Sequence, residues 1–308
     1  MAIAIVFPGQ GSHRAGALDP WEGHAALGVL DEVSAGLGRD VLPLTQDPGA
    51  GGRTADAQPA ILAVSLVVAR ALKDAGVVPD VVAGHSLGEF TAAIHAGCLS
   101  VRDGSALVAA RGAAMGEACR ENPGTMAAVV KLDPQAVEVL VEGIDGLVIA
   151  NDNAPGQVVV AGTPDAVEAV KGRARDAGGR ALPLDVEGAF HSPAMAPAVD
   201  PVAAAIADLD VADPTITLVS GSTAAPLVDA AAVSAALVDG ILAPVRWREV
   251  QERLVSLGVT EVVEAGPGGV LAGLVKRTIP DVRAHKVETP DDLDAALEAL
   301  GSDAAAGD

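Results

Sequence analysis

The feature that most constrains the fold is a serine flanked by glycines between an apolar run and a helical pattern. Residues 77–83 predict a buried strand, Gly84-His85-Ser86-Leu87-Gly88 follows at once, and residues 89–96 have the apolar spacing of a helix. A strand that leads through a sharp turn into a helix is typical of a parallel α/β sheet. Such a turn also lifts the serine hydroxyl clear of the sheet, at a helix N-terminus that favours negative charge. The segment therefore predicts an α/β fold with Ser86 as a nucleophile.

The remaining pattern predicts a second, smaller domain. Residues 2–7 form another short apolar run that ends at a Pro-Gly loop, as expected for a buried strand. Between residues 124 and 188 the elements follow the order β-α-β-β-α-β, which is the ferredoxin-like pattern. We predict three parts: a hydrolase-like parallel-sheet core at 1–123 and 189–298, an inserted ferredoxin-like domain at 124–188, and a flexible acidic tail at 299–308.

Composition excludes several classes of function. The net charge of −21 argues against a nucleic-acid partner, because phosphate binding needs a clustered basic surface. No run of 18 uncharged apolar residues could serve as a membrane span. The two cysteines are too few for a disulfide framework and lack metal-site spacing, so we expect no metal. These features predict a cytoplasmic monomer. A basic cluster such as Lys171, Arg173 and Arg175 could meet an acidic partner, or could be a solvated helix face.

A serine nucleophile needs a base, and the chain offers six histidines. His191 lies in a predicted loop after the small domain, in a suitable chain order for a Ser–His pair. We expect His85 to point away from the site if Ser86 points into it. Spacing favours His191 but does not by itself decide among the histidines.

Seven motifs occur in order along residues 3–280. They are Phe7-Pro8-Gly9-Gln10-Gly11-Ser12, Gly84-His85-Ser86-Leu87-Gly88-Glu89, Arg111-Gly112, NDNAPGQVVVAG at 151–162, Ala189-Phe190-His191-Ser192, Pro244-Val245-Arg246-Trp247 and Glu264-Ala265-Gly266-Pro267-Gly268. Together they resemble the malonyl-CoA:acyl carrier protein transacylases and the related acyltransferases of polyketide synthases.

This resemblance implies a role for eight residues. Ser86 would be the nucleophile, His191 its general base and acid, and the backbone N–H groups of Gln10 and Leu87 the oxyanion hole. Arg111 would hold the malonyl carboxylate, since a guanidinium can grip a carboxylate through two parallel hydrogen bonds. The remaining positions would shape the substrate site: Gln58 near the acyl pocket, Asn153 along the thioester cleft, and Phe190, whose bulk would crowd an α-methyl branch and so favour malonyl.

The reaction implied is a ping-pong transfer from malonyl-CoA to the phosphopantetheine thiol of an acyl carrier protein. It needs no metal or redox cofactor. Two related alternatives are a trans-acting polyketide synthase acyltransferase with a different extender unit, and an acyl hydrolase, either an editing enzyme or an esterase. A nucleotide-binding module is disfavoured because the glycine-rich loops complete neither G-x-G-x-x-G nor a P-loop. An inactive carrier-docking protein is disfavoured by the intact Ser86, His191 and Arg111.

Three positions depart from the family pattern. His13 stands where Gln is usual, and Glu187 where Ser or Thr is common. Gly240 stands where many members have a Gln whose main-chain carbonyl orients the histidine. That carbonyl survives the change to glycine, although glycine loosens the backbone. The resemblance implies no acidic third member of the triad, and Asp185 and Glu187 would be the nearest in sequence if there were one.

Overall fold

The computed structural model describes residues 1–304. Its strands are β1 (Ile3–Phe7), β2 (Val81–Gly84), β3 (Thr125–Val130), β4 (Leu147–Ala154), β5 (Gln157–Gly162), β6 (Arg180–Pro183), β7 (Thr217–Val219), β8 (Pro226–Leu227), β9 (Glu261–Ala265) and β10 (Arg283–Val287). Its α-helices are α1 (Val29–Leu37), α2 (Leu42–Gln46), α3 (Thr54–Asp74), α4 (Gly88–His95), α5 (Val101–Glu121), α6 (Pro134–Val141), α7 (Pro164–Asp176), α8 (Val199–Ala207), α9 (Ala230–Asp239), α10 (Trp247–Ser256), α11 (Val270–Thr278) and α12 (Pro290–Ala304).

The larger sheet is mixed but mainly parallel, with the order β10-β9-β1-β2-β7-β8. All its pairs are parallel except β7 with β8, which closes one edge. The central strand β1 is apolar on both faces: Ile5 and Phe7 join the main core, while Ala4 and Val6 join a second core. Continuous apolar strands are expected where helices cover both faces of a parallel sheet. The sequence prediction of an α/β fold is therefore confirmed.

A smaller antiparallel sheet has the order β4-β5-β3-β6, and its elements follow the chain order β-α-β-β-α-β. Its strands alternate, so that Val129 and Val160 pack with α6 and α7 in a separate core cluster. On the other face, Met126 and Val159 pack in the main core. This face forms one wall of the cleft described below.

Strand β4 also pairs with the segment between α9 and α10. An isolated parallel bridge joins Asn151 to Val245, through hydrogen bonds from Asp152 N to Val245 O and from Val245 N to Ala150 O, both 2.8 Å long. This bridge attaches the small sheet to the segment that leads into α10.

One helix, α3, is long and apolar enough to span a membrane, yet 83% of its most apolar window is buried within the fold. Long core helices meet the same criterion. It packs against α5 beneath the larger sheet, as a buried core helix does.

Several boundaries differ from those predicted. Strand β2 starts at Val81 rather than at residue 77, because the Asp80 carboxylate accepts the hydrogen bond from Ile3 N that a backbone carbonyl of a longer strand would accept, while Asp80 N donates to Ile3 O. Helix α12 continues to Ala304, six residues into the predicted tail, because Leu300 packs in the core. Residues 305–308 of that tail lie outside the described residues.

Candidate active site

The turn between β2 and α4 holds Ser86 in a left-handed conformation, with φ of +53°. This conformation is uncommon for a residue with a side chain and is found at functional turns. The flanking residues Gly84 and Gly88 must be glycines, because neither position has room for a Cβ atom. A Cβ on Gly84 would lie 1.9 Å from the carbonyl carbon of Gly88, and a Cβ on Gly88 would lie 2.0 Å from the oxygen of Phe7. The strand, sharp turn and helix predicted around this serine are present, and Ser86 lines the cleft described below.

His191 lies next to this serine although 105 residues separate them in the chain. Its Nε2 is 2.9 Å from Ser86 Oγ, and its Nδ1 is 2.9 Å from the carbonyl oxygen of Ala243. The Nδ1–H must donate to that carbonyl, so Nε2 is left as the acceptor for the serine proton. Burial, with the nearby Arg111 cation, lowers the pKa of His191 to about 3. The imidazole is therefore neutral at pH 7 and can act as a base.

The family pattern indicates that the carbonyl at position 240 orients His191. In the structure the hydrogen-bonded carbonyl belongs to Ala243, three residues later. The Gly240 backbone also acts on the imidazole, since it raises the pKa of His191 against the larger effect of burial. Gly240 ends α9 with φ of −60° and ψ of −10°, a conformation that any residue adopts, and its N–H donates to Ala236 O at 2.9 Å. The glycine therefore does not remove the support of the histidine.

Carboxylates do not contribute to this support. Within residues 1–304, the polar contacts of the His191 ring are to Ser86 and to backbone carbonyls. Glu187 instead accepts a hydrogen bond from Thr54 N at 2.6 Å, at the start of α3, and Asp185 lines the cleft. The site is a serine–histidine pair oriented by the main chain.

Arg111 reaches the same serine from α5 and is 2% exposed. Its Nη2 donates to Ser86 Oγ at 3.2 Å and its Nη1 to Gln58 Oε1 at 2.8 Å, while its guanidinium carbon lies 5.1 Å from the centre of the Phe90 ring. Within the described residues, Nε–H has no partner. Burial lowers the pKa of Arg111 to about 10, against the opposing effect of Glu89, so the group stays cationic at pH 7.

The predicted oxyanion-hole groups lie beside the serine. Gln10 follows β1 and lines the cleft, and its side chain is tied to Thr54 Oγ1 at 3.1 Å. Leu87 follows Ser86 and caps the N-terminus of α4, buried beneath the turn. Within residues 1–304, neither backbone N–H donates a hydrogen bond to another backbone carbonyl. Both are therefore free to receive an anionic oxygen.

Above Ser86 lies a cleft of about 360 Å³ between the two sheets. Phe190 and Asn153 line it, as the family resemblance implies, whereas Gln58 lies beneath Arg111 and outside the lining. Most of the other walls are apolar, from α5, the small sheet, the segment after β6, and α11: Met115, Met126, Val159, Leu184, Val186, Val270, Leu271 and Leu274.

The expectation that His85 points away from the site is wrong, because its ring lines the cleft. Its Nε2 is 2.9 Å from Asn153 Oδ1, and the ring packs edge-on against Trp247 at 5.5 Å. Gln251 also donates to the Asn153 carbonyl at 3.0 Å. These contacts tie the nucleophile turn to the small sheet.

Glu89 is the residue of the site that sequence reasoning missed. It lies in the first turn of α4, is 4% exposed, and accepts a hydrogen bond from Gly221 N at 3.1 Å. A carboxylate on a mainly apolar helix, three residues after Ser86, is the signal that the sequence offers. In the part of the chain that the structure describes, no group of three or more His, Cys, Asp or Glu residues could hold a metal ion.

Comparison with known proteins shows the family of the chain. The family model for the acyl transferase domain matches residues 5–290. The malonyl CoA-acyl carrier protein transacylase of Bacillus subtilis is 35% identical, covering 97% of each chain. The protein of that name from Mycobacterium tuberculosis is 40% identical, over 95% of this chain and 98% of its own.

Solved structures agree as well. An acyl-carrier-protein S-malonyltransferase from Burkholderia pseudomallei superposes with a TM-score of 0.92 at 40% identity, covering 97% of this chain and 100% of its own. A malonyl-transacylase solved in complex with a type II polyketide synthase acyl-carrier protein has a TM-score of 0.93 at 34% identity, with the same coverage. The chain therefore belongs to the acyl transferase domain family.

Proposed function

We propose that the protein transfers a malonyl group from malonyl-CoA to the phosphopantetheine thiol of an acyl carrier protein, through an acyl-enzyme on Ser86. One observation carries the proposal: Ser86 Oγ lies 2.9 Å from the base His191 and 3.2 Å from the cation Arg111. A nucleophile, its base and a binding group for an anion therefore converge on one point. The names of the relatives and of the protein solved with its carrier support the same reaction.

In the first half-reaction, Ser86 Oγ attacks the thioester carbonyl while His191 Nε2 takes the hydroxyl proton. The resulting oxyanion would be stabilised by the free N–H groups of Gln10 and Leu87. Collapse of the tetrahedral intermediate breaks the carbon–sulfur bond, and the imidazolium returns its proton to the CoA sulfur. The products are malonyl-serine and CoA thiol.

The second half-reaction reverses these roles with a different thiol. His191 takes the proton of the phosphopantetheine thiol, the thiolate attacks the acyl-serine, and the imidazolium returns the proton to Ser86 Oγ. The apolar cleft above the serine would hold the pantetheine arm of either substrate. Each step uses only side chains, main-chain N–H groups and the thioester, and the proposal includes no metal or redox cofactor.

Arg111 and Phe190 would select the acyl group. The Arg111 guanidinium is 2% exposed and has an unpaired Nε–H, so it can bind a carboxylate through charge-assisted hydrogen bonds. A plain acyl chain has no group that could accept these bonds. Phe190 is buried in the cleft wall directly before the base and would crowd a branch on the α-carbon. Rejection of one methyl group is worth about 1–3 kcal/mol, so we expect a preference for malonyl rather than strict exclusion.

We also infer that the small sheet is a ferredoxin-like domain inserted at 124–188 into a hydrolase-like core. The support is its order β4-β5-β3-β6, with α6 and α7 on one face. In this arrangement the inserted domain supplies one wall of the thioester cleft. We further propose that the enzyme acts as a monomer in the cytoplasm.

The test is to incubate the protein with malonyl-CoA, with and without carrier protein. We expect a malonyl adduct on a peptide containing Ser86, and transfer of that group when holo carrier is added. Apo carrier, which lacks the thiol, is the matched control. If free malonate forms without carrier as fast as malonyl-carrier forms with it, the protein is a hydrolase and the transferase proposal is wrong.

A further inference from the structure

Ser86 and His191, which line the cleft, also line a second and much smaller space. This inner cavity measures about 10 Å³, roughly the space of one water molecule. Its lining includes Ser86, Glu89, Arg111, His191 and Gly240. It is therefore lined by the proposed nucleophile, base and carboxylate-binding cation. It is also lined by Glu89, a buried acid that has no role in the mechanism above.

Glu89 is held firmly at this cavity. Its Oε1 accepts the hydrogen bond from Gly221 N, and the nearby Ser220 hydroxyl stabilises the charged form of the same carboxylate. The other oxygen packs against glycines, since a Cβ added to Gly221 would lie 3.1 Å from Oε2, and one added to Gly240 would lie 3.9 Å from it. Burial raises the pKa of Glu89 to about 7, although these hydrogen bonds and Arg111 lower it.

Glu89 and Arg111 influence each other across the cavity without forming an ion pair. Within residues 1–304, the guanidinium donates only to Gln58 and Ser86, and its Nε–H is unpaired. Each group nevertheless shifts the pKa of the other towards its charged form. Glu89 thus supplies a countercharge to Arg111 without occupying its N–H donors. The guanidinium can therefore still bind an incoming anion.

A malonyl carboxylate placed on Arg111 would be a second anion in the same confined space. Two buried carboxylates that share one cation cannot both remain ionised without a large penalty, and the one with the weaker support becomes protonated. The incoming carboxylate has the direct contact with Arg111, and Glu89 does not. We propose that Glu89 takes up a proton from solvent when an acyl group bearing a free carboxylate is loaded at Ser86, so that loading of such groups is proton-linked.

The other groups around Glu89 do not take this proton. The pKa of His191 is so far below neutrality that an added anion leaves the imidazole neutral at pH 7. Arg111 is already cationic. The segment after β7 contributes the hydroxyls of Ser220 and Ser222, and the end of α9 contributes backbone and apolar groups.

Acyl transfer itself is nearly neutral in protons at pH 7, because the proton that leaves Ser86 ends on the CoA thiol. Any slight ionisation of that thiol is the same for every acyl-CoA. The difference between malonyl and acetyl loading therefore isolates the effect of the carboxylate. With a pKa of about 7, Glu89 is partly ionised in the free enzyme at pH 7. Its protonation would take up a fraction of a proton per acylated serine, and a larger fraction at higher pH.

The experiment rests on the proposed function and measures proton uptake during a single round of Ser86 acylation. The enzyme is mixed with malonyl-CoA or acetyl-CoA in weak buffer with a pH indicator, and the acyl-serine is quantified by mass spectrometry. We expect extra proton uptake for malonyl over acetyl at pH 7, a larger difference at pH 8, and little difference at pH 5, where Glu89 is already largely protonated. Glu89→Gln should abolish the difference.

Glu264→Gln is the matched control. Glu264 is also buried with a pKa raised to about 7 by burial, but it contacts Ala272 N at the start of α11 rather than Arg111. That variant should keep the malonyl–acetyl difference. Equal uptake for both acyl groups in the wild type, or extra uptake that persists in Glu89→Gln, would overturn the proposal. Absence of any malonyl-serine would instead refute the proposed function, and the wild-type pH series remains informative if a variant does not fold.

Discussion

Replacing Arg111 by alanine should slow loading of malonyl far more than loading of acetyl. The guanidinium is 2% exposed and lies 3.2 Å from the nucleophile. It can offer a carboxylate two charge-assisted hydrogen bonds, each worth about 1.5–3 kcal/mol. Their loss removes about 3–6 kcal/mol of transition-state stabilisation, or roughly 10²–10⁴-fold in kcat/KM for malonyl-CoA.

Acetyl-CoA carries no carboxylate, so its loss should come from the single hydrogen bond to Ser86 Oγ. This bond is also charge-assisted and contributes about 1.5–3 kcal/mol, which predicts a loss of roughly 10–10²-fold that malonyl-CoA shares in addition to the loss of its carboxylate bonds. The substitution also leaves Gln58 Oε1 without its 2.8 Å partner, which costs stability for both substrates equally. Selectivity should therefore fall by at least tenfold whatever happens to the amount of folded protein.

The assay is single-turnover acylation of Ser86 by each acyl-CoA, with folded enzyme determined by circular dichroism. Arg111→Lys serves as the matched variant, because it keeps a positive charge but loses the planar fork, and it should recover only part of the selectivity. Equal losses for malonyl and acetyl would refute the carboxylate-binding role of Arg111 and, with it, the assignment of malonyl as the acyl group.

Three other substitutions test the site. Ser86→Ala should abolish acyl-enzyme formation without loss of fold, since both residues carry a Cβ at the same positive φ; a covalent malonyl adduct on this variant would place the nucleophile elsewhere. His191→Ala should slow both half-reactions by roughly 10²–10⁴-fold, measured as acylation by malonyl-CoA and as transfer to carrier; a loss confined to one half would exclude a shared base. Gly84→Ala should disrupt the Ser86 turn and lower the free energy of unfolding by more than about 3 kcal/mol, because its Cβ would lie 1.9 Å from Gly88. Gly52→Ala is the control: its Cβ would meet no atom within 4 Å, so the melting temperature should stay nearly unchanged.

Sequence reasoning predicted those parts of the site that depend on local structure. The turn at Ser86 is such a part, because a strand, two glycines and a helix specify it within residues 81–95. The order of elements in the small sheet was also predictable, since each strand and helix there has its own periodicity. Strand ends were less well predicted. Asp80 shortens β2 through a contact with Ile3, which no local pattern reveals.

The errors concern contacts between distant segments. His85 was expected to point away, but its ring meets Asn153 and Trp247, which come from two other parts of the chain. Likewise, the carbonyl that orients His191 belongs to Ala243 rather than to Gly240 alone, because the turn after α9 decides which carbonyl faces the ring. Family resemblance located the segment correctly, but the particular atom depended on packing.

Burial affects three groups of the site differently, and the differences predict how acyl selectivity depends on pH. It lowers the pKa of Arg111 to about 10 and that of His191 to about 3, so neither changes charge between pH 6 and 8. It raises the pKa of Glu89 to about 7, within that range. If malonyl loading takes up a proton on Glu89, linkage requires the affinity for malonyl-CoA to fall as pH rises above 7, by up to tenfold per unit.

Acetyl-CoA should bind with little dependence on pH over the same range, since it brings no second anion to the inner cavity. The ratio of malonyl to acetyl affinity, measured at pH 6, 7 and 8 with Ser86→Ala to prevent turnover, should therefore decline on the alkaline side. The decline should disappear in Glu89→Gln, which has no titrating group there. A ratio that stays constant in the wild type, or that rises with pH, would show that Glu89 does not respond to the acyl carboxylate.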